Sequence, residues 1–148
     1  MCTNLVIPCN CGKEKANIMN KNNILPPDAI RNLYCPQCSR DVSFNPDTMI
    51  NDNGWVIEYN LPLIESIFVR LNINEIDITP ETVFDKGYCS WNGLTPKELD
   101  EGRKQRSEIV KLAKTDMKAY LEKLKNWGNT RMEELRKEGW RKAQQGAY

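Results

Sequence analysis

Short apolar runs separated by polar turns characterise the first part of the chain. Residues 41–44 alternate between polar and apolar side chains, the period of a strand with one buried face. Residues 48–50 and 55–59 are rich in apolar side chains and flank the pair Asn53-Gly54. Asn-Gly is a strong hairpin signal because both residues tolerate a positive φ. The pattern therefore predicts a small antiparallel sheet.

A helical period follows the predicted hairpin. Asn60 is placed to cap a helix whose apolar residues are spaced i, i+3, i+4 and i+7. These residues are Ile64, Ile67, Phe68 and Leu71. Apolar side chains also alternate over residues 67–73, so a strand stays open as the alternative, with the helix favoured. Further along, Thr79 predicts the start of a short helix that ends near Gly87.

Two other segments have the composition of loops. Residues 14–25 are polar and rich in Asn and Lys, which predicts an exposed loop. Residues 88–93 predict a compact loop around Cys89. We expect this thiol to be a small buried hydrophobe and not a reactive group, because the chain has no histidine that could activate it.

The last third of the chain predicts a long helical arm. Thr95 and Glu98 are spaced as a capping box, and no proline follows Pro96. A continuous helix from Pro96 to about Gln145 would span on the order of 70 Å. Its apolar stripe consists of Val110, Ala113, Met117, Tyr120 and Leu124. Gly128 is the expected break, so the arm is either two helices, over residues 96–127 and 130–144, or one bent helix.

These elements predict an α+β chain with three parts. Residues 1–60 form a β module with a hairpin, residues 61–94 a helical and loop connector packed on it, and residues 95–148 the amphipathic arm. Charge divides along the same line. Residues 1–94 hold 7 basic and 11 acidic side chains, a net charge of −4, whereas residues 95–148 hold 14 and 9, a net charge of +5. A basic arm on an acidic body is consistent with a polyanion contact or with solvated helix faces.

Four of the six cysteines form two closely spaced pairs, Cys9 with Cys11 and Cys35 with Cys38. Two such pairs can supply the four thiolates that structural zinc prefers, and they leave no open position for water or substrate. No leader segment and no apolar run of bilayer length is visible, so we expect a cytoplasmic, reducing environment without membrane contact.

The cysteine pairs resemble those of a zinc ribbon, or of a related four-cysteine zinc-knuckle fold. The resemblance rests on Cys-x-Cys-Gly-Lys at residues 9–13 and Tyr-Cys-Pro-x-Cys-Ser at residues 34–39, and it covers roughly the first 60 residues. The first pair departs from the usual Cys-x-x-Cys spacing, which affects the topology more than the metal. Rubredoxin-type iron is the rival ion because it uses the same four thiolates, and with iron the chain would be a rubredoxin-like electron carrier, the second alternative function.

The sequence indicates no enzyme. Histidine is absent, the acidic residues are scattered, and no glycine-rich phosphate loop is present. We therefore expect an adaptor or small accessory subunit that binds a protein partner, or a second copy, through residues 95–148. The predicted contact residues are Trp127, Arg131, Arg136 and Trp140, since Trp and Arg are enriched at interface hot spots.

Nucleic-acid binding through the cysteine module is the alternative. The basic residues near the two cysteine pairs would contact phosphates, and Tyr34 would assist them. These residues are Lys13, Lys15, Lys21, Arg31 and Arg40. The acidic balance of residues 1–94 makes this function less favoured than protein binding.

Overall fold

The computed structural model describes residues 2–144 as an α+β chain. The described residues form two compact units that divide between Asn92 and Gly93. We call them the N-terminal unit and the helical unit. The end of the predicted arm, residues 145–148, lies outside the described residues.

Six strands of the N-terminal unit form two antiparallel sheets of three strands each. The strands are β1 (Thr3–Pro8), β2 (Lys15–Asn20), β3 (Ile30–Tyr34), β4 (Met49–Asp52), β5 (Trp55–Tyr59) and β6 (Cys89–Trp91). The first sheet has the order β1-β2-β6 and the second the order β3-β5-β4. The predicted hairpin is confirmed as β4 and β5, and its turn residues Asn53 and Gly54 have φ values of 54° and 94°.

Three predictions for this unit are wrong. Residues 14–25 contain strand β2, which turns Ala16, Ile18 and the polar Asn20 inward at every second position. The predicted loop at 88–93 contains β6, which pairs with β2. Residues 41–44 form no strand, and Phe44 is exposed. The central strand β5 is already paired with β3 on one side and with β4 on the other. Residues 41–44 therefore cannot pair with it.

Besides short 3-10 turns, the N-terminal unit contains two α-helices, and both begin where the sequence predicts. Helix α1 (Leu61–Arg70) has Asn60 as its cap, whose Oδ1 accepts from the Leu63 amide at 3.4 Å, so the strand alternative is excluded. Helix α2 (Pro80–Asp85) is capped by Thr79, whose Oγ1 accepts from the Thr82 amide at 3.1 Å. Each helix carries a proline in its first turn, where no hydrogen-bonded N–H is needed.

The helical unit contains α3 (Glu98–Val110), a 3-10 turn (Lys111–Lys114), α4 (Met117–Glu138) and the short α5 (Arg141–Gln144). The predicted break at Gly128 is wrong, because α4 runs through it. The chain breaks instead at Asp116, which has a φ of −151° and caps α4 by accepting from the Ala119 amide at 3.1 Å. The predicted capping box at Thr95 does not form either, since the Glu98 carboxylate binds Arg131 at 2.9 Å.

Alanine substitutions at Gly128, inside α4, and at Gly139, directly after it, are expected to have opposite effects on stability. A Cβ at Gly128 would meet no atom within 4 Å, so Gly128→Ala is expected to stabilise the protein by up to about 1 kcal/mol. Gly139 ends α4 with a φ of 93°, a conformation that strains alanine. Gly139→Ala is therefore expected to destabilise it by about 1 kcal/mol. Urea unfolding followed by circular dichroism measures the free energy of unfolding of both variants. Changes of the same sign in the two variants would contradict this account.

Candidate metal centre

The turn between β1 and β2 carries the first cysteine pair. Cys9 directly follows β1, and its amide donates to the Glu14 carbonyl at 2.8 Å, which closes the hairpin. The Gly12 amide donates to the Cys9 carbonyl at 2.8 Å, and Gly12 has a φ of 74°. Glycine is favoured at this position because most other residues rarely adopt that conformation. The hairpin thereby brings Cys9 and Cys11 to the same end of the first sheet.

The second pair follows β3 and is held by the turn of the β4–β5 hairpin. Cys35 comes directly after β3, and Cys38 begins a 3-10 turn in which the Ser39 amide donates to the Cys35 carbonyl at 2.9 Å. The Ser39 hydroxyl donates to the Gly54 carbonyl at 2.6 Å. A Cβ on Gly54 would lie 3.2 Å from Pro36 Cβ, so this hairpin turn needs glycine for its contact as well as for its backbone conformation.

The four sulfur atoms lie at distances that suit one tetrahedral ion. All four lie within 4.8 Å of one another, and Cys11 Sγ is 3.9 Å from Cys35 Sγ. With metal–sulfur bonds of about 2.3 Å, the edge of a regular tetrahedron is about 3.8 Å. A disulfide would need a sulfur–sulfur distance of about 2.05 Å, and these four cysteines are free thiols. The arrangement therefore fits metal coordination and not disulfide pairing.

Backbone amides point at two of the sulfurs. The Cys35 amide donates to Cys9 Sγ at 3.2 Å, and the Lys13 amide donates to Cys11 Sγ at 3.4 Å. The Lys13 hydrogen bond, helped by one with Cys9, lowers the pKa of Cys11 to about 6. Hydrogen bonds with the Cys9 and Cys11 sulfurs raise the pKa of Cys38 to about 12. Metal binding would have to displace the protons that remain on these thiols, because a metal binds the thiolate form.

The cluster has a buried side and an open side. Cys9 and Cys35 are buried, Cys38 is half-buried, and Cys11 is exposed. The buried pair ties the centre to the sheets, and the open side gives an ion access from solvent. A set of four cysteine sulfurs suits zinc and also iron, and it fills all four positions of a tetrahedral ion. Such a site can stabilise the fold but offers no free position for a substrate.

The two cysteines outside the cluster differ in their surroundings. Burial raises the pKa of Cys89 to about 12, so this thiol stays protonated and weakly reactive at neutral pH. Cys2 is exposed, and its sulfur accepts from the Asn22 amide at 3.5 Å. Neither belongs to the group of sulfurs that could hold an ion.

The four residues predicted to contact a partner make contacts inside the helical unit. Arg131 binds the Glu98 carboxylate at 2.9 Å, and Trp127 Nε1 donates to Gln105 Oε1 at 2.5 Å. These contacts join α4 to α3, and the Arg106 guanidinium lies 5.8 Å from the centre of the Trp127 ring. The helix-to-helix partners Glu98 and Gln105 were missed, since spacing along one helix does not reveal them.

Of the remaining two predicted contact residues, Arg136 lies at the end of α4 and Trp140 lies between α4 and α5. Arg136 Nε donates to the Ala143 carbonyl at 3.1 Å, and the buried Trp140 donates from Nε1 to Glu138 at 2.7 Å. The structure thus places all four residues in contacts that shape the helical unit. A role in binding a partner stays a prediction for each of them.

The chain matches no protein-family model, no curated protein and no solved structure. Within residues 2–144, no helix combines the length and the apolar character that crossing a membrane requires.

Proposed function

We propose that Cys9, Cys11, Cys35 and Cys38 hold one zinc ion whose role is structural. The four sulfurs at tetrahedral spacing, with a buried pair between the two sheets, are the observation that carries this proposal. The zinc-ribbon likeness is part of the same proposal. It is supported by the position of the first pair in the β1–β2 turn, where the Lys13 amide donates a hydrogen bond to Cys11 Sγ.

Iron in the same four sulfurs is the competing assignment. Such a centre would make the chain an electron carrier, and an exposed ligand such as Cys11 would bring the metal near solvent. Nothing else among the described residues favours electron transfer over a structural role. Zinc is therefore the ion that we propose, and iron is an outcome of the test below.

We further propose that the protein is a non-enzymatic adaptor or small accessory subunit that binds another protein, or a second copy, through the helical unit. Large apolar side chains on this unit support the proposal: Val110, Met117 and Leu121 are each at least half exposed. Exposed apolar side chains grouped on neighbouring turns are typical of interaction surfaces. The metal would hold the N-terminal unit rigid while the helices bind.

Elemental analysis and light scattering on one sample test this function. We expect one zinc per chain, a colourless solution and a mass above the 17.1 kDa of a single chain. Iron with visible absorbance would move the function to electron transfer. A protein that is folded without any metal would contradict the structural role of the cysteines.

Nucleic-acid binding is the second candidate, and one observation favours it. Lys13, Lys15, Arg31 and Arg40 are exposed near the cysteine cluster, and no ion pair within residues 2–144 involves them. Binding to single-stranded RNA that weakens steeply with salt, and weakens further when Lys13 and Arg40 are neutralised, would support this candidate over the adaptor. The net charge of −4 over residues 1–94 opposes it.

A further inference from the structure

An open groove lies on the N-terminal unit between α1 and the segment that leads to α2. Its volume is about 660 Å³, and Phe68, Ile73 and Ile78 supply apolar side chains to its lining. The lining also contains three carboxylates, Glu65, Glu75 and Asp77, and no lysine or arginine. We call this surface the acidic groove.

Exposed apolar side chains occupy the rim of the acidic groove. Ile76 is 98% exposed and Val69 is 72% exposed, and both belong to the lining. Large apolar side chains this exposed are costly in water, and two of them beside one groove indicate a surface that is covered in use. The groove therefore has the chemistry to bind an apolar segment that carries positive charge.

The three carboxylates of the groove are not equally available. Glu75 binds the Lys86 ammonium at 2.5 Å and accepts from the Tyr88 hydroxyl at 2.6 Å. Its negative charge is therefore already balanced by Lys86. Glu65 and Asp77 are exposed, and no ion pair of the described residues involves either one. A cationic segment in the groove could contact both of these groups.

The first half of α4 carries a surface of matching character. Met117, Leu121 and Leu124 are spaced i, i+4 and i+7, so they lie on one face of the helix. Met117 and Leu121 are each 56% exposed, whereas Leu135, further along the same face, is fully buried. The face is therefore covered over the second half of α4 and uncovered over the first half. We call the uncovered part the α4 stripe.

Lysines flank the α4 stripe on one side. Lys118 and Lys125 lie about one helical turn before and after Leu121, and both are displaced from it by about 40–60° in the same direction around the helix axis. Both are exposed, and no ion pair among residues 2–144 involves them. The other side of the stripe meets the face on which Trp127 contacts α3. An acidic, apolar groove and a basic, apolar stripe thus occur in one chain.

We propose that the acidic groove of one copy binds the α4 stripe of a second copy. This inference rests on the proposed function, because it names the surface that the helical unit would bind. The net charges, −4 over residues 1–94 and +5 over residues 95–148, favour this contact over a groove–groove or a stripe–stripe contact. The contact joins two different surfaces, so each copy can bind one neighbour through its acidic groove and another through its α4 stripe. Association can therefore extend beyond a pair.

Single substitutions on each surface test the proposal. Ile76→Asn removes the most exposed apolar side chain of the groove, and Leu121→Gln removes one from the stripe while keeping a good helix former. We expect each to weaken self-association at least about tenfold, as loss of an interface anchor does. Phe44→Asn is the matched control for the groove, since Phe44 is 47% exposed but outside the lining. Lys123→Gln, on another face of α4, is the control for the stripe.

Mixing the two variants gives the most specific result. The Leu121→Gln protein keeps a native groove, and the Ile76→Asn protein keeps a native stripe. Their mixture should therefore form a one-to-one pair of twice 17.1 kDa that grows no further, at concentrations at which each variant alone is mainly a single chain because its own association is weakened. Sedimentation velocity over a range of concentrations separates these species, and rising salt should weaken the pair.

The failures of this proposal are distinguishable from one another. If Leu121→Gln weakens association and Ile76→Asn does not, or if the mixture does not pair, the groove is not the receptor. The inference is then overturned while the helical unit remains the interface. If the native protein is a single chain at all concentrations, or if neither variant changes association, self-association through these surfaces is overturned together with the inference.

Discussion

If the cysteine cluster holds a structural metal as proposed, replacing Cys35 with serine is expected to remove that metal and unfold the N-terminal unit. Cys35 is 1% exposed, and its sulfur lies 3.9 Å from that of Cys11. Structural zinc contributes on the order of 10 kcal/mol to the folding of small domains, and whole domains are stable by about 5–15 kcal/mol. Loss of one ligand therefore removes an amount of free energy comparable to the entire stability of the unit.

Cys2→Ser is the matched control for this substitution. Cys2 is exposed and lies outside the cluster, so its variant should retain the metal and the native urea midpoint. Metal content by elemental analysis, near-ultraviolet circular dichroism and urea unfolding are the measurements. A Cys35→Ser protein that has lost its metal but keeps the native spectrum and midpoint would show that the cluster does not stabilise the fold.

Features that depend on neighbouring residues could be predicted from the sequence. Asn53-Gly54 needs only its own backbone freedom to form a turn, and Asn60 and Thr79 cap their helices through amides three residues away. The cysteine cluster belongs partly to this class. The spacing within each pair is local, and two pairs that each need a metal are expected to share one.

Features that depend on distant residues were missed. Strand β2 has only Ala16 and Ile18 as buried apolar residues, and its third buried residue is Asn20, so its pattern resembles that of a polar loop. It pairs along its whole length with β1 and, over Ile18–Asn20, with β6 about seventy residues away, and these partners on both sides make it a strand. Likewise, Glu98 fits a capping box by spacing, but Arg131, 33 residues away, binds its carboxylate. Long-range contacts outweigh such local preferences.

Gly128 illustrates the size of these competing effects. A glycine inside a helix costs only about 1 kcal/mol relative to alanine. The contacts of Trp127 and Arg131 with α3 lie on either side of Gly128, and they keep α4 helical there. The break occurs at Asp116 instead, where the side chain caps the new helix. The low helix propensity of glycine thus indicated a possible break at Gly128. The contacts between α3 and α4 outweigh it, and the break occurs at Asp116.

Replacing Trp91 is expected to have the second-largest effect, because this side chain joins the two sheets. Trp91 lies on β6 of the first sheet and is 2% exposed. Its ring packs in a T-shaped arrangement against the ring of Trp55, on the second sheet, at a centroid distance of 6.0 Å. It packs in the same way against the ring of Phe84 at 5.6 Å. Its Nε1 donates to Asp52 Oδ2 on β4 at 2.6 Å. We expect Trp91→Ala to destabilise the protein by about 3–5 kcal/mol, since it leaves a cavity between the sheets.

Trp91→Phe separates packing from hydrogen bonding. This variant keeps an aromatic ring but removes the N–H that binds the buried Asp52 carboxyl, so we expect a loss of about 1–3 kcal/mol. Trp127→Phe is the control, because it removes an indole N–H from an exposed hydrogen bond to Gln105 and should cost less than about 1 kcal/mol. Urea unfolding measures all three variants. If Trp91→Phe costs as much as Trp91→Ala, the hydrogen bond to Asp52 and not the packed ring joins the sheets; if both cost no more than Trp127→Phe, Trp91 does not join them.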